Sequence, residues 1–211
     1  MQLFDIENVA FEILSYPVSW TEFFGVTFGL FAVYFASRAN IWTWATGLAN
    51  IFFMTILFYN VQLYADMFLQ IYYLGITLYG WYHWKRKTPE NESSIKYLSP
   101  KNRLISLGII AVGTVIFGWF FTNIHDLFPK FFPVEAAFPY ADSFIMTGSI
   151  VAQFLLARKR IENWYLWIAI DIFATYIYYK KGVLFLSAEY LIFLALAVYG
   201  LLNWKREMQK V

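Results

Sequence analysis

Apolar residues run along this chain in seven stretches: Trp20–Ala36, Ile41–Phe58, Ala65–Trp84, Leu104–Phe121, Asp142–Ala157, Asn163–Tyr179 and Val183–Trp204. Each is close to the roughly 20 residues that a helix needs to cross a hydrocarbon core about 30 Å thick. All six prolines fall outside these stretches, as uninterrupted helices require. Alternation at period 2 is weak, which argues against a β-barrel. Ahead of the first stretch, Leu3, Ile6, Val9, Ala10, Ile13 and Leu14 recur at helical spacing and predict a short interfacial helix. No signal peptide is expected, because the first ten residues carry no Lys or Arg and the apolar run begins late.

Composition sharpens this picture. The 211 residues are 60% apolar, 23% aromatic and only 14% charged, against about 45–50% apolar and about 25% charged in a soluble domain. A soluble enzyme would have to expose much of that apolar surface. The net charge of +2 is too small to steer nucleic acid, so no nucleic-acid partner is expected. With no cysteine, thiolate metal sites, Fe–S clusters and cysteine nucleophiles are excluded. The reading is an all-α polytopic membrane protein, with seven spans and the bilayer as its solvent.

Charge sets the direction. Seven spans put thirteen of the sixteen Lys and Arg residues on one side, and the positive-inside rule makes that side cytoplasmic. The N-terminus is then outside and the C-terminus inside. Shifted by 120 residues, the chain matches itself without a gap: Arg38 on Arg158, Trp44 on Trp164, Tyr79-Gly80 on Tyr199-Gly200, Trp84-Lys85-Arg86 on Trp204-Lys205-Arg206. Residues 22–86 give 16 identities in 65, clustered at the ends, which argues for duplication rather than shared composition. The expected organisation is an interfacial segment (1–19), a three-helix repeat (20–86), a cytoplasmic linker (87–103) and a linker helix (104–121). An outer loop (122–141), a second three-helix repeat (142–206) and a tail (207–211) follow. One helix between the copies makes the repeat parallel, an arrangement transporters use to frame a substrate near the midplane.

Ionisable groups inside the membrane need a partner or a function. Asp171 falls in the middle of the sixth span, Glu189 in the seventh, and Asp66 begins the third. Trp164, Trp167, Asp171, Thr175 and Tyr178 fall within about 80° of one another on a helix. Ile170, Phe173, Ala174 and Ile177 form the other face, suited to lipid or packing. The third span carries a comparable stripe of Asp66, Gln70, Tyr73, Thr77, Trp81 and Trp84. Aromatic faces beside a carboxylate suit a flat organic cation. Trp20, Trp84, Trp119 and Trp204 lie near span ends and read as interfacial belt residues. Gln70 and Glu189 also suit helix–helix hydrogen bonds. The Arg158-Lys159-Arg160 run reads as a topology signal. His83 and His125 lie on opposite sides and cannot meet, no Walker motif is present, and no catalytic, metal or cofactor site is expected.

Glu162-Asn163-Trp164-Tyr165-Leu166-Trp167 followed by Asp171 resembles the Trp-x-x-Trp-x-x-x-Asn/Asp motif of the PnuC family of vitamin transporters. Gln62 through Gln70, Tyr79-Gly80-Trp81, and Lys181-Gly182-Val183 with Ser187-Ala188-Glu189-Tyr190 resemble that family's third and seventh helices. The resemblance implies a three-plus-one-plus-three, SWEET-like fold. It implies energy-independent uptake of an unphosphorylated vitamin that a cytoplasmic kinase then traps. Members carry nicotinamide riboside or thiamine, and some relatives riboflavin. Those of the nicotinamide riboside type tend to have Asn where this chain has Asp171, Thr77 and Tyr199, which leans the expected substrate toward thiamine, with nicotinamide riboside as the alternative. The candidate substrate-binding residues are Trp164, Trp167, Asp171, Gln70, Glu189, Trp44, Tyr73, Thr77 and Asn50. A membrane receptor that binds the vitamin without moving it is the competing class, and homo-oligomerisation is left open.

Overall fold

A computed structural model describes residues 9–13, 16–60, 64–86, 95–130, 135–180 and 184–210. Two short strands, β1 (Val9–Ile13) and β2 (Tyr16–Ser19), precede seven helices. These are α1 (Trp20–Ser37), α2 (Trp42–Asn60), α3 (Tyr64–Lys85), α4 (Pro100–Leu127), α5 (Pro139–Ala157), α6 (Glu162–Lys180) and α7 (Leu184–Gln209). Every expected span is a helix. On length and composition alone, α4, α5 and residues 187–209 of α7 are apolar enough to cross a membrane.

The N-terminal segment departs from expectation. Val9, Ala10 and Ile13 lie in a strand of an antiparallel hairpin in which Phe11 faces Val18 and Ile13 faces Tyr16, not in an interfacial helix. Leu3, Ile6 and Leu14 lie outside the described residues. The physical reason is local. β-Branched and aromatic residues at 9, 11, 13, 16 and 18 favour a pleated pair, and Pro17 sits in the edge strand β2, where a missing N–H is tolerated. The Phe11 ring then packs edge-on against Phe23 of α1, 5.5 Å between centroids.

The chain forms two compact units, Met1–Ser93 and Ser94–Val211. In the first, α2 packs on both α1 and α3. Thr43 Oγ1 donates to Ala32 O (2.9 Å) and Asn50 Nδ2 to Gly25 O (2.8 Å), fixing α2 against α1. In the second, α4 packs on α5, α5 on α6 and α6 on α7. Thr114 and Thr147 join α4 to α5 at 3.2 Å, and Ser187 Oγ donates to Thr175 O, joining α7 to α6. The expected linker helix, α4, packs within the second unit. It also starts earlier than expected, because Ser99 caps it and Pro100 takes the first helical position, where its missing N–H costs nothing.

The 120-residue offset recurs as local geometry within each unit. α1 ends with Ala39 N–H on Ala36 O and Asn40 N–H on Phe35 O; α5 ends with Lys159 N–H on Leu156 O and Arg160 N–H on Leu155 O. Both are Schellman turns. Each places a non-glycine residue in the left-handed region, Ala39 at φ 49 and Lys159 at φ 50. Lys159 is also substantially buried, and desolvation pulls its pKa below the usual lysine value.

Candidate functional site

In the second unit, α6 presents Ile170, Asp171, Ala174 and Ile177 as a buried stripe. Ile170 fits against Gly148 of α5, where an added Cβ would lie 3.1 Å from its Cδ1. Ile170, Ala174 and Ile177 are therefore packing residues, and the exposed side of α6 is Ile172, Phe173, Tyr176 and Tyr179. Within this stripe Asp171 is only 3% exposed. Its carbonyl accepts from Thr175 Oγ1 at 2.7 Å, which keeps the Thr175 hydroxyl on the backbone and off the carboxylate. Among the described residues the Asp171 carboxylate has no hydrogen bond and no ion pair. Burying a carboxylate without a partner is costly. Trp167, half-buried one turn earlier on the same face, has no ring partner among the described residues. A π face one helical turn from a buried acid is an arrangement that attracts a planar cation.

Trp164 is placed differently. It is 1% exposed, meets Trp204 edge-on at 5.6 Å, and lies so close to Gly200 that an added Cβ would come within 2.7 Å of its ring. Trp44 repeats this in the first unit, with Trp84 edge-on at 5.2 Å and Gly80 beneath the ring, an added Cβ lying 2.3 Å away. Each indole Nε1 is buried with no partner among the described residues, so contact rather than hydrogen bonding holds the ring. The structure thus spends both rings on helix packing, where sequence reasoning placed them in the binding wall. Trp204, read as an interfacial residue, is fully buried by the same contact.

In the first unit, Gln70 and Thr77 of α3 are buried seven residues apart, on one face. Neither side chain has a hydrogen-bond partner among the described residues, and the Thr77 methyl lies against Gly47 of α2. Tyr73 is half-buried on the same helix, its ring against Tyr72. Asn50 is committed through its amide nitrogen to Gly25, as above. Glu189 is half-buried on α7 and has an interaction partner. The Asp66 side chain lies outside the described residues. His83 stacks on Tyr79 within α3, while His125 is in the last turn of α4. Among the described residues no group of acids and histidines is arranged to hold a metal. Sequence reasoning missed Glu162 in the first turn of α6, whose carboxylate reaches back 64 residues to the Leu98 amide. No spacing rule signals so distant a contact.

Seven helices, three of them long and apolar enough to cross a membrane, with a buried acid and an aromatic face beside it, fit the class of helical membrane transporters for small organic molecules. Residues 19–206 match the model of the nicotinamide mononucleotide transporter family, and the chain belongs to this family, that of the PnuC vitamin transporters. It is 32% identical to the nicotinamide riboside transporter PnuC of Escherichia coli (strain K12), over 97% of this chain and 94% of that one. It is 26% identical to the riboflavin/roseoflavin transporter RibM of Streptomyces davaonensis, over 94% and 91%. The fold resembles the crystal structure of a vitamin B3 transporter PnuC, with a TM-score of 0.67 and 23% identity over 90% of this chain and 83% of the other. The chain is therefore a vitamin transporter of this family and not an enzyme. These relatives lend no support to the lean toward thiamine.

Proposed function

We propose that this protein carries nicotinamide riboside, an unphosphorylated pyridinium nucleoside, down its gradient into the cell, where phosphorylation by a cytoplasmic kinase retains it. The observation that carries this reading is the Asp171 carboxylate, buried on α6 and without a partner among the described residues. Its charge complements the pyridinium, and Trp167 offers the ring a stacking face. A desolvated cation–π contact contributes about 2 kcal/mol, and the ion pair adds selectivity against neutral analogues. The nicotinamide riboside relative at 32% identity supports the substrate. Gln70 and Thr77 are the first unit's own candidates for hydrogen bonds to a ligand. An outward N-terminus and inward C-terminus rest on the division of thirteen Lys and Arg against three. The absence of a Walker motif fits uptake without ATP.

Thiamine is the second reading, since its thiazolium charge and aminopyrimidine also suit an acid at position 171. Tryptophan fluorescence of the purified protein, titrated with nicotinamide riboside, thiamine and riboflavin in parallel, separates them. Saturable quenching at lowest concentration by nicotinamide riboside is expected. Tighter quenching by thiamine would reverse the order, and tight binding of neutral riboflavin would remove the charge argument. Uptake into liposomes must accompany binding; saturable binding without uptake would make the protein a receptor.

A further inference from the structure

The segment just before α4 is fastened across one end of the second unit. Lys96 N–H donates to Lys159 O and Ile161 N–H to Lys96 O, both at 3.1 Å, forming a parallel bridge onto the α5–α6 turn. Leu98 N–H lies 3.1 and 3.0 Å from the two carboxylate oxygens of Glu162. Arg103 Nε of α4 donates to Glu162 Oε1 at 2.8 Å, and its guanidinium sits over the Tyr97 ring at 5.4 Å. On α7, the Lys205 ammonium lies over the Tyr165 ring of α6 at 5.4 Å. Ile95, at the start of this strap, is buried. Residues 95–99 therefore touch α4, the α5–α6 turn and α6. Among the described residues Glu162 is the one carboxylate in the strap's hydrogen bonds, and it stands in the first turn of the helix that carries Asp171.

We propose that Glu162 is a positioning residue for transport: it clasps the strap so that α4 to α7 move as one body during the transport step. The ion pair is the lesser part, because Arg103 is 47% exposed and water screens it. The backbone amide of Leu98 is the greater part. A charge-assisted bond to a mostly buried carboxylate has no substitute once Glu162 is gone. Losing the clasp leaves Asp171 and Trp167 on α6 with their binding chemistry intact, but loosens the helix ends that must travel together. The expected signature is a fall in maximal uptake with little change in binding.

The uptake arm rests on the proposed substrate; the structural arm does not. In full-length protein in liposomes, Glu162→Ala should speed hydrogen exchange at the Leu98 amide about tenfold or more. It should lower the maximal rate of nicotinamide riboside uptake several-fold and leave the quenching Kd within about twofold. Glu162→Gln keeps an oxygen acceptor for Leu98 and should retain most of the exchange protection. Exchanging the pair as Arg103→Glu with Glu162→Arg restores the opposite charges but not the acceptor, so it should not rescue uptake. Wild-type exchange at Leu98 in Glu162→Ala, or rescue by the exchanged pair, would overturn the proposal. A Kd that collapses together with uptake in both Glu162 variants would also overturn it, by making the role one of folding. If wild-type protein neither binds nor carries nicotinamide riboside, the functional reading fails and exchange at Leu98 alone decides the clasp.

Discussion

The first unit buries an aliphatic side chain at Ile51; 120 residues on, the second buries Asp171. Around these positions the two units are built alike. Trp44 meets Gly80 and Trp84, and Trp164 meets Gly200 and Trp204. The preceding helix ends in the same turn in both. The differences are in the polar groups. Gln70 and Thr77 of the first unit correspond to Tyr190 and Ala197 of the second. What both units keep is packing: a large ring seated on a glycine gives close helix contact and a fixed helix orientation. Where they part, buried polar groups without partners among the described residues stand opposite residues that pack. A stability requirement alone favours apolar groups there, so under the proposed function the divergence is where a ligand would be met.

This contrast predicts effects of opposite sign. The largest is on transport: Asp171→Ala should reduce nicotinamide riboside uptake by about tenfold or more, while Ile51→Ala should leave the half-saturation concentration near wild type. Asp171→Asn, which keeps the shape and removes the charge, should lower nicotinamide riboside uptake by less than Asp171→Ala. Next is stability. Asp171→Leu should raise the thermal unfolding midpoint while abolishing uptake, because it removes an unpaired buried acid. The mirror substitution Ile51→Asp should lower the midpoint and confer no new binding. Unfolding followed by near-ultraviolet circular dichroism in detergent measures both, and a fall in midpoint for Asp171→Leu would mean that the carboxylate is structurally bonded after all.

A third pair tests the shared skeleton. Gly80→Ala and Gly200→Ala each push a Cβ into a tryptophan ring, and overpacking of this kind costs about 1–3 kcal/mol. Gly80→Ala, with the closer approach, should be the worse of the two. Equal, negligible effects would break the claim that these rings are scaffold. The smallest effects belong to the turns. Ala39→Gly and Lys159→Gly relieve left-handed residues, worth about 1 kcal/mol each. Lys159→Gly should gain more, because it also removes a partly buried ammonium. Since the folded-state pKa of Lys159 is lowered, the unfolded chain binds more protons as pH approaches 10.5. Wild-type stability therefore recovers with rising pH, and the advantage of Lys159→Gly over wild type should narrow.

Much of the fold was legible because helices of this length announce themselves by continuous apolar runs, and proline and serine mark their starts. The hairpin at residues 9–19 was not, since its apolar spacing satisfies both a helix and a strand and only cross-strand pairing decides. Asp171 and Trp167 stood out as candidates because an acid in mid-span demands a reason, and the structure buries the acid. Trp164 and Trp44 were misplaced because hydrophobic patterning cannot say whether a ring faces a cavity or a glycine. Gly80 and Gly200, at the same offset as the tryptophans, were the available clue. The Glu162 clasp joins positions 64 residues apart, which only the folded chain reveals.

The central claim is that the second unit owes its substrate to the acid that replaces an aliphatic residue of the first. Its most direct test is uptake of radiolabelled nicotinamide riboside into liposomes by Asp171→Ala and Ile51→Ala, with protein levels and unfolding midpoints matched. The account predicts loss in the first and near-wild-type uptake in the second. Wild-type uptake by Asp171→Ala, or equal loss in both, would contradict it.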